Sequence, residues 1–145
     1  MTAATTQDRT IVIERDFAHP PEKVWRALTQ GVLMEEWLMK NDFKPIVGHH
    51  FQFRGQPVAH WDGVVDAEVL EVEPHSRLSY TWNVGTDAAK GMRTVVTYTL
   101  TATKEGTRLR MEHAGFREDQ AQNAKGAQYG WGLFLGKLEA VVARA

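Results

Sequence analysis

His113 is the residue whose type and position in this sequence most favour chemistry. It alternates with Leu109 and Met111 along a predicted strand, so its imidazole should face the interior of the protein. A histidine titrates near neutral pH and can serve as acid, base or hydrogen-bonding group for a ligand. The alternative is a structural histidine bonded to backbone where that strand meets the last helix. His113 is therefore the candidate catalytic residue, and a structural role is the competing interpretation.

Three hydroxyl groups share the inward phase of the predicted strands, on Tyr80, Thr94 and Tyr98. Buried hydroxyls normally find a hydrogen-bond partner in the protein or in a ligand. In an apolar pocket, a few such groups fix the orientation of a ligand. Mutual bonding inside a packed core is the alternative.

Other polar clusters predict no site. His49 and His50 are adjacent on a strand and point to opposite faces, so only one could join His60 in a metal site. With no cysteine and no helical His pair, we predict no metal and no cofactor. Paired carboxylates near the second helix can do acid–base work only if they are desolvated. Glu35, Glu36 and Asp42 are interpreted as a solvated face.

Composition restricts the class of protein. The chain has 145 residues, with 17 basic and 18 acidic side chains interspersed, so no nucleic-acid partner is expected. No apolar run approaches the ~20 residues of a membrane span, and the N-terminus lacks the apolar core of a signal peptide. We predict a cytoplasmic protein with a flexible arm over residues 1–9 and one domain over residues 10–145.

The periodicity of apolar residues predicts the elements. A β-branched strand over residues 10–17 precedes two short helices, Pro21–Thr29 and 32–38, the second with Leu33 and Trp37 on one face. From Phe51 the period changes to two, as in antiparallel strands with one buried face. Residues 118–144 form the longest predicted helix. This order predicts an α+β fold, in which a curved antiparallel sheet of six to seven strands wraps around a long C-terminal helix.

The final helix contains four glycines, at positions 126, 130, 132 and 136. Each interior glycine costs a helix on the order of 1 kcal/mol relative to alanine. Close packing of neighbouring backbone is the favoured explanation. The alternative is that space beside Trp131 is kept for a ligand.

Five segments in order resemble one known superfamily. They are PPEKVWRALT at 20–29, VLEVEP at 69–74, LSYTW at 78–82, TRLRMEHAGF at 107–116, and Gly130-Trp131. The chain resembles START-like proteins of the SRPBCC superfamily, and within it the AHSA-type branch named for activators of the ninety-kilodalton heat-shock-protein ATPase. The resemblance implies a helix-grip (Bet v-like) fold. Two departures, Trp37-Leu38 and residues 48–51, lie where many relatives carry Trp-Trp and Gly-Gly-Arg-Phe.

The resemblance also implies a cavity, and three functions follow as expectations. The first is non-catalytic binding of a small apolar or polycyclic molecule. Its expected ligand contacts are Trp37, Phe53, Tyr80, Trp82, Tyr98, His113 and Trp131. The second is a cyclase- or hydratase-like enzyme that uses His113 with Tyr80 or Tyr98 as its partner. The third is a chaperone-associated interaction module, in which a homodimer would form through Gly132 and Gly136.

Overall fold

The computed structural model describes residues 10–58, 61–85 and 91–145. The strands are β1 (Ile11–Phe17), β2 (Lys40–Asn41), β3 (His50–Arg54), β4 (Val64–Glu73), β5 (Arg77–Val84), β6 (Met92–Ala102) and β7 (Thr107–Ala114). The helices are α1 (Pro21–Thr29), α2 (Gly31–Trp37) and α3 (Ala121–Ala143), with a 3-10 turn, Glu118–Gln120, before α3. The predicted arm over residues 1–9, His60 and part of the loop before β6 lie outside the described residues.

The strands form one sheet in the order β1-β7-β6-β5-β4-β3-β2, and every neighbouring pair is antiparallel. The chain winds from β2 to β7 by consecutive neighbours, and β1 joins beside β7. The curved sheet and the long C-terminal helix confirm the α+β helix-grip prediction.

Alternation along the strands decides which side chains enter the core. In β5, Leu78, Tyr80 and Trp82 are buried. On β7, Leu109 and His113 are fully buried while Arg108 and Arg110 are exposed. This is the period of two expected for a sheet with one wet face.

The two short helices differ slightly from their prediction. Helix α1 has the predicted bounds, but α2 begins at Gly31, one residue earlier than predicted. The break lies at Gln30, whose backbone is extended (φ −94°, ψ 119°). The buried face of α2 consists of Met34 and Trp37 rather than Leu33 and Trp37, and Leu33 packs only partly against the core.

Helix α3 begins three residues later than predicted. A 3-10 turn occupies positions 118–120, and the side-chain oxygen of Gln120 accepts a hydrogen bond from the backbone N–H of Arg117 at 2.9 Å. Gln120 also donates to the carbonyl of Gly91 at 3.1 Å, which fixes the start of α3 beside β6. No helix within the described part of the chain has the length and apolarity needed to cross a membrane.

Candidate functional site

A cavity of about 570 Å³ separates the sheet from the first half of α3. Its volume is within the range of roughly 300–1,000 Å³ typical of small-molecule sites. Apolar and aromatic side chains dominate the wall, and none of the lining residues carries a formal charge at neutral pH. The lining consists of Met39, Val58, Trp61, Val65, Trp82, Val84, Met92, His113, Asn123, Gly126, Ala127, Gly130, Trp131 and Phe134.

The cavity exists because one face of α3 carries small residues. Positions 123, 126, 127, 130, 131 and 134 recur at helical spacing and face the sheet. Three of them are Gly126, Ala127 and Gly130, which leave space where larger side chains would fill the gap. Farther along α3, Leu138, Val141 and Val142 are fully buried and close the core.

The predicted close packing at the helix glycines is wrong. A Cβ atom built at Gly126, Gly132 or Gly136 would have no neighbour within 4 Å, and one at Gly130 would meet only the Phe134 ring at 4.0 Å. The alternative explanation fits Gly126 and Gly130, which line the cavity beside Trp131. Gly132 and Gly136 lie outside it.

The floor of the cavity is a cluster of three rings from β5, β7 and α3. The ring centroids of Trp82 and Trp131 lie 5.3 Å apart, and that of His113 lies 5.7 Å from Trp82 and 6.0 Å from Trp131. Strand alternation turns Trp82 and His113 inward, and α3 brings Trp131 onto them.

A directed chain of hydrogen bonds holds these rings. The indole Nε1 of Trp131 donates to Nδ1 of His113 at 2.9 Å. The Thr94 hydroxyl donates to the carbonyl of Trp82 at 2.5 Å, so it accepts from Nε2 of His113 at 2.8 Å. His113 is therefore a neutral imidazole with its proton on Nε2, and both ring nitrogens are engaged.

Burial lowers the pKa of His113 from its ordinary 6.5 to about 3, because charging a ring in this apolar site costs desolvation energy. The predicted structural alternative was wrong about the partners, which are side chains rather than backbone. The predicted partnership of His113 with Tyr80 or Tyr98 is also not formed. A ring without a free nitrogen is poorly suited to proton transfer.

The two tyrosines bond each other instead, with 2.7 Å between their hydroxyl oxygens. Both are fully buried, and desolvation raises the pKa of each well above its usual value. Mutual bonding was the second interpretation of these hydroxyls, and the structure confirms it. Both phenols therefore stay protonated near neutral pH, and neither can act as a general base.

Four of the seven predicted ligand contacts lie in the packed layer rather than in the cavity wall. Trp37 donates its indole N–H to the carbonyl of Ala27 at 2.8 Å, and Phe53 packs on Tyr80 with centroids 5.6 Å apart. With Tyr98, these side chains are at most 1% exposed. The strand residues among them were predicted as ligand contacts because they share the inward phase of their strands, but core and cavity residues share that phase. Trp82, His113 and Trp131 do line the cavity.

Sequence reasoning missed the rim of the cavity, which comes from the loop between β3 and β4. Val58 and Trp61 exchange backbone hydrogen bonds of 2.9 and 3.1 Å, and the Trp61 indole donates to the carbonyl of Val64 at 3.0 Å. Gly63 has φ +85°, and a Cβ there would lie 2.6 Å from the carbonyl oxygen of Gly55. Only glycine permits this close approach, which holds Trp61 over the cavity.

Several of the other polar residues considered as metal ligands or acid–base groups have structural contacts in the described part of the chain. Among residues 10–58, 61–85 and 91–145, no three His, Asp or Glu side chains are placed to hold a metal ion. His49 contacts the carbonyl oxygen of Asp42 at 2.9 Å, and His60 is not among the described residues. Glu36 forms an ion pair with Arg144, and an Asp42 carboxylate oxygen accepts the backbone N–H of Gln52.

The curved sheet, the long helix and the cavity between them define a helix-grip domain of the START-like class. Comparison of sequences identifies the family within that class. The profile described as "Activator of Hsp90 ATPase homolog 1-like protein" matches residues 18–143, and the chain belongs to this family, which is part of the SRPBCC superfamily. Among curated proteins, none matches the sequence.

Solved structures share the fold over almost the whole chain. Protein MLL2253 from Mesorhizobium loti is 57% identical, with a TM-score of 0.85 over 94% of this chain and 98% of that one. Protein BH1534 from Bacillus halodurans is 28% identical, with a TM-score of 0.73 over 92% and 96%. DynU16, a putative protein in the dynemicin biosynthetic locus, is 24% identical with a TM-score of 0.75; the match covers 93% of this chain but 47% of DynU16.

Proposed function

We propose that this protein binds a small, largely apolar molecule, without chemical change, in the cavity between the sheet and α3. The observation that carries the proposal is the cavity itself, about 570 Å³ of space with an aromatic wall and no charged side chain. Burial of apolar ligand surface there would contribute roughly 25 cal/mol per Å² removed from water.

The shape of the wall favours a flat, ring-containing ligand. Trp82 and Trp131 form the floor, Phe134 packs on Trp131 with centroids 5.7 Å apart, and Trp61 lies at the rim. Aromatic rings stack on such faces with about 0.5–1.5 kcal/mol beyond area burial. Asn123 supplies an amide at the exposed end of the cavity, which would orient a ligand carbonyl or hydroxyl group.

The bonding of His113 favours binding over catalysis. Both of its nitrogens are committed to Thr94 and Trp131, and the paired tyrosines lie behind the floor. No observation specifically favours the cyclase- or hydratase-like alternative. The family description names an Hsp90 ATPase activator. A chaperone partner and a cytoplasmic location stay predictions for this chain.

A cavity-filling substitution tests the proposal. The neutral probe 1-pyrenebutanol should quench tryptophan fluorescence of the wild type in a saturable titration. Gly130→Leu adds a side chain within the cavity, where it occupies volume that the probe needs. We expect it to weaken binding by roughly fivefold to a hundredfold, which corresponds to an overpacking cost of roughly 1–3 kcal/mol.

Gly136→Leu is the matched control, because it makes the same change on the same helix where a Cβ meets open space outside the cavity. It should bind the probe like the wild type. The proposal fails if the wild type shows no saturable quenching, or if both leucine variants bind equally well.

A further inference from the structure

A second hollow continues the cavity toward the edge of the sheet. Its volume is about 730 Å³, and it shares Met39, Trp61 and Phe134 with the cavity wall. Trp61 therefore lies at the junction of the two spaces. A ligand longer than the cavity would pass Trp61 and extend into this outer hollow.

The outer hollow differs from the cavity in charge. Its lining includes Lys40 and Arg54, and both of its charged side chains are cationic. They are direct cross-strand partners in the β2–β3 pair, and both are exposed. Like charges directly opposite each other on a sheet are destabilising, so the pair is unfavourable without an anion.

The described residues supply no such anion. No Asp or Glu side chain among them lies within ion-pair distance of Lys40 or Arg54. The guanidinium of Arg54 donates one hydrogen bond, to the neutral amide oxygen of Gln52 at 2.6 Å. Its other N–H groups remain available for an acceptor.

We propose that the ligand is an amphipathic organic anion. Its apolar body occupies the uncharged cavity, and its carboxylate or similar acidic group lies at Lys40 and Arg54. Guanidinium and ammonium groups are the donors that bind such anions in proteins. This inference rests on the proposed binding function and adds the charge and direction of the ligand.

A pair of probes that differ at one end tests the inference. We would titrate 1-pyrenebutyrate and 1-pyrenebutanol, which share the ring system and differ in the acid group. At low ionic strength the wild type should bind the acid about fivefold more tightly than the alcohol, as expected for partly exposed charge pairs. Raising the ionic strength from about 0.01 M to about 1 M should remove most of that preference.

The double variant Lys40→Gln/Arg54→Gln should bind the two probes within about twofold of each other. Lys137→Gln is the control, because it removes one exposed positive charge from α3 outside both spaces. It should keep the preference for the acid.

The outcomes separate this inference from the proposed function. If the alcohol binds the wild type as tightly as the acid, or if the double variant keeps the preference, the anionic ligand is overturned while apolar binding stands. If Gly130→Leu leaves binding of the acid unchanged, the probe does not enter the cavity and the inference fails. If neither probe binds, the proposed function itself fails.

Discussion

The indole of Trp131 donates its hydrogen to Nδ1 of His113, with 2.9 Å between the two nitrogens. The bond joins the long helix to strand β7 at the floor of the cavity. It also fixes the tautomer of His113, whose other nitrogen must then donate to Thr94. One contact thus sets the position of the floor and removes the imidazole from proton chemistry.

Removing that donor should destabilise the protein. Trp131→Phe keeps an aromatic ring but leaves Nδ1 of a fully buried histidine without its partner. An unsatisfied buried acceptor costs about 1–3 kcal/mol, in addition to the loss of ring area. Urea unfolding monitored by far-UV circular dichroism measures the free energy of unfolding.

Trp25→Phe is the matched control, since the Trp25 indole forms no hydrogen bond to another described residue. It should lose less stability than Trp131→Phe by at least about 1 kcal/mol. Equal losses in the two variants would show that the bond to His113 contributes nothing.

The stability of the protein should fall on acidification because of His113. Its pKa is about 3 in the folded protein and 6.5 ordinarily, so between these values the unfolded chain binds a proton that the folded chain does not. The contribution is complete above pH 6.5 and decreases below it by up to about 1.4 kcal/mol per pH unit. Unfolding in urea at pH 7 and pH 5 tests this, with an expected loss of up to about 2 kcal/mol from this residue.

The control measures the same loss of stability between pH 7 and pH 5 in the variant His113→Gln. If the glutamine variant does not fold, His113→Phe takes its place. Each variant lacks the titrating ring, so it should lose less stability than the wild type between the two pH values. Parallel losses in wild type and variant would contradict the buried neutral imidazole.

The bond between Tyr80 and Tyr98 predicts non-additive substitutions. Tyr80→Phe or Tyr98→Phe alone leaves one buried hydroxyl without its partner, which costs about 1–3 kcal/mol. The double variant removes both hydroxyls and should be less destabilised than the sum of the single variants. A double-mutant cycle in urea measures the difference, and strict additivity would mean that the hydroxyls do not interact.

The pattern of apolar residues was sufficient to predict the sheet, because the buried face of a strand repeats every second residue. That rule placed Leu78, Tyr80 and Trp82 inside, and the structure confirms all three. It could not separate cavity wall from packed core. Trp82 and Tyr80 share a strand and a phase, yet only Trp82 lines the cavity, because the distinction depends on what faces each ring across the fold.

The sequence of α3 indicates the cavity, but less clearly than the alternation of apolar residues indicates the sheet. Gly126, Ala127 and Gly130 fall on the same helix face as Trp131, and this run of small residues indicates space beside it. The rim of the cavity could not be predicted from the periodicity of apolar residues, because it is formed by a loop. Trp61 is placed by a loop whose approach depends on Gly55 and Gly63, and such contacts follow from tertiary structure rather than from spacing.

We predict that the protein self-associates through the solvent-exposed face of α3. Tyr129 and Leu133 are 73% and 54% exposed one turn apart, beside Gly132 and Gly136, where the helix surface is open. We expect a homodimer in which a second copy of α3 packs there, and Gly132→Leu should shift it to monomer in size-exclusion chromatography with light scattering. Gly132→Ala adds little bulk and should remain dimeric. A monomeric wild type, or a dimeric Gly132→Leu variant, would exclude this interface.

The most direct test of the binding account uses the indole N–H signals of the five tryptophans in a ¹H–¹⁵N spectrum. Trp61, Trp82 and Trp131 line the cavity, while Trp25 and Trp37 do not. Titration with 1-pyrenebutanol should shift the first three signals in a saturable manner and leave the other two nearly unchanged. An unchanged spectrum, or shifts confined to Trp25 and Trp37, would contradict ligand binding in this cavity.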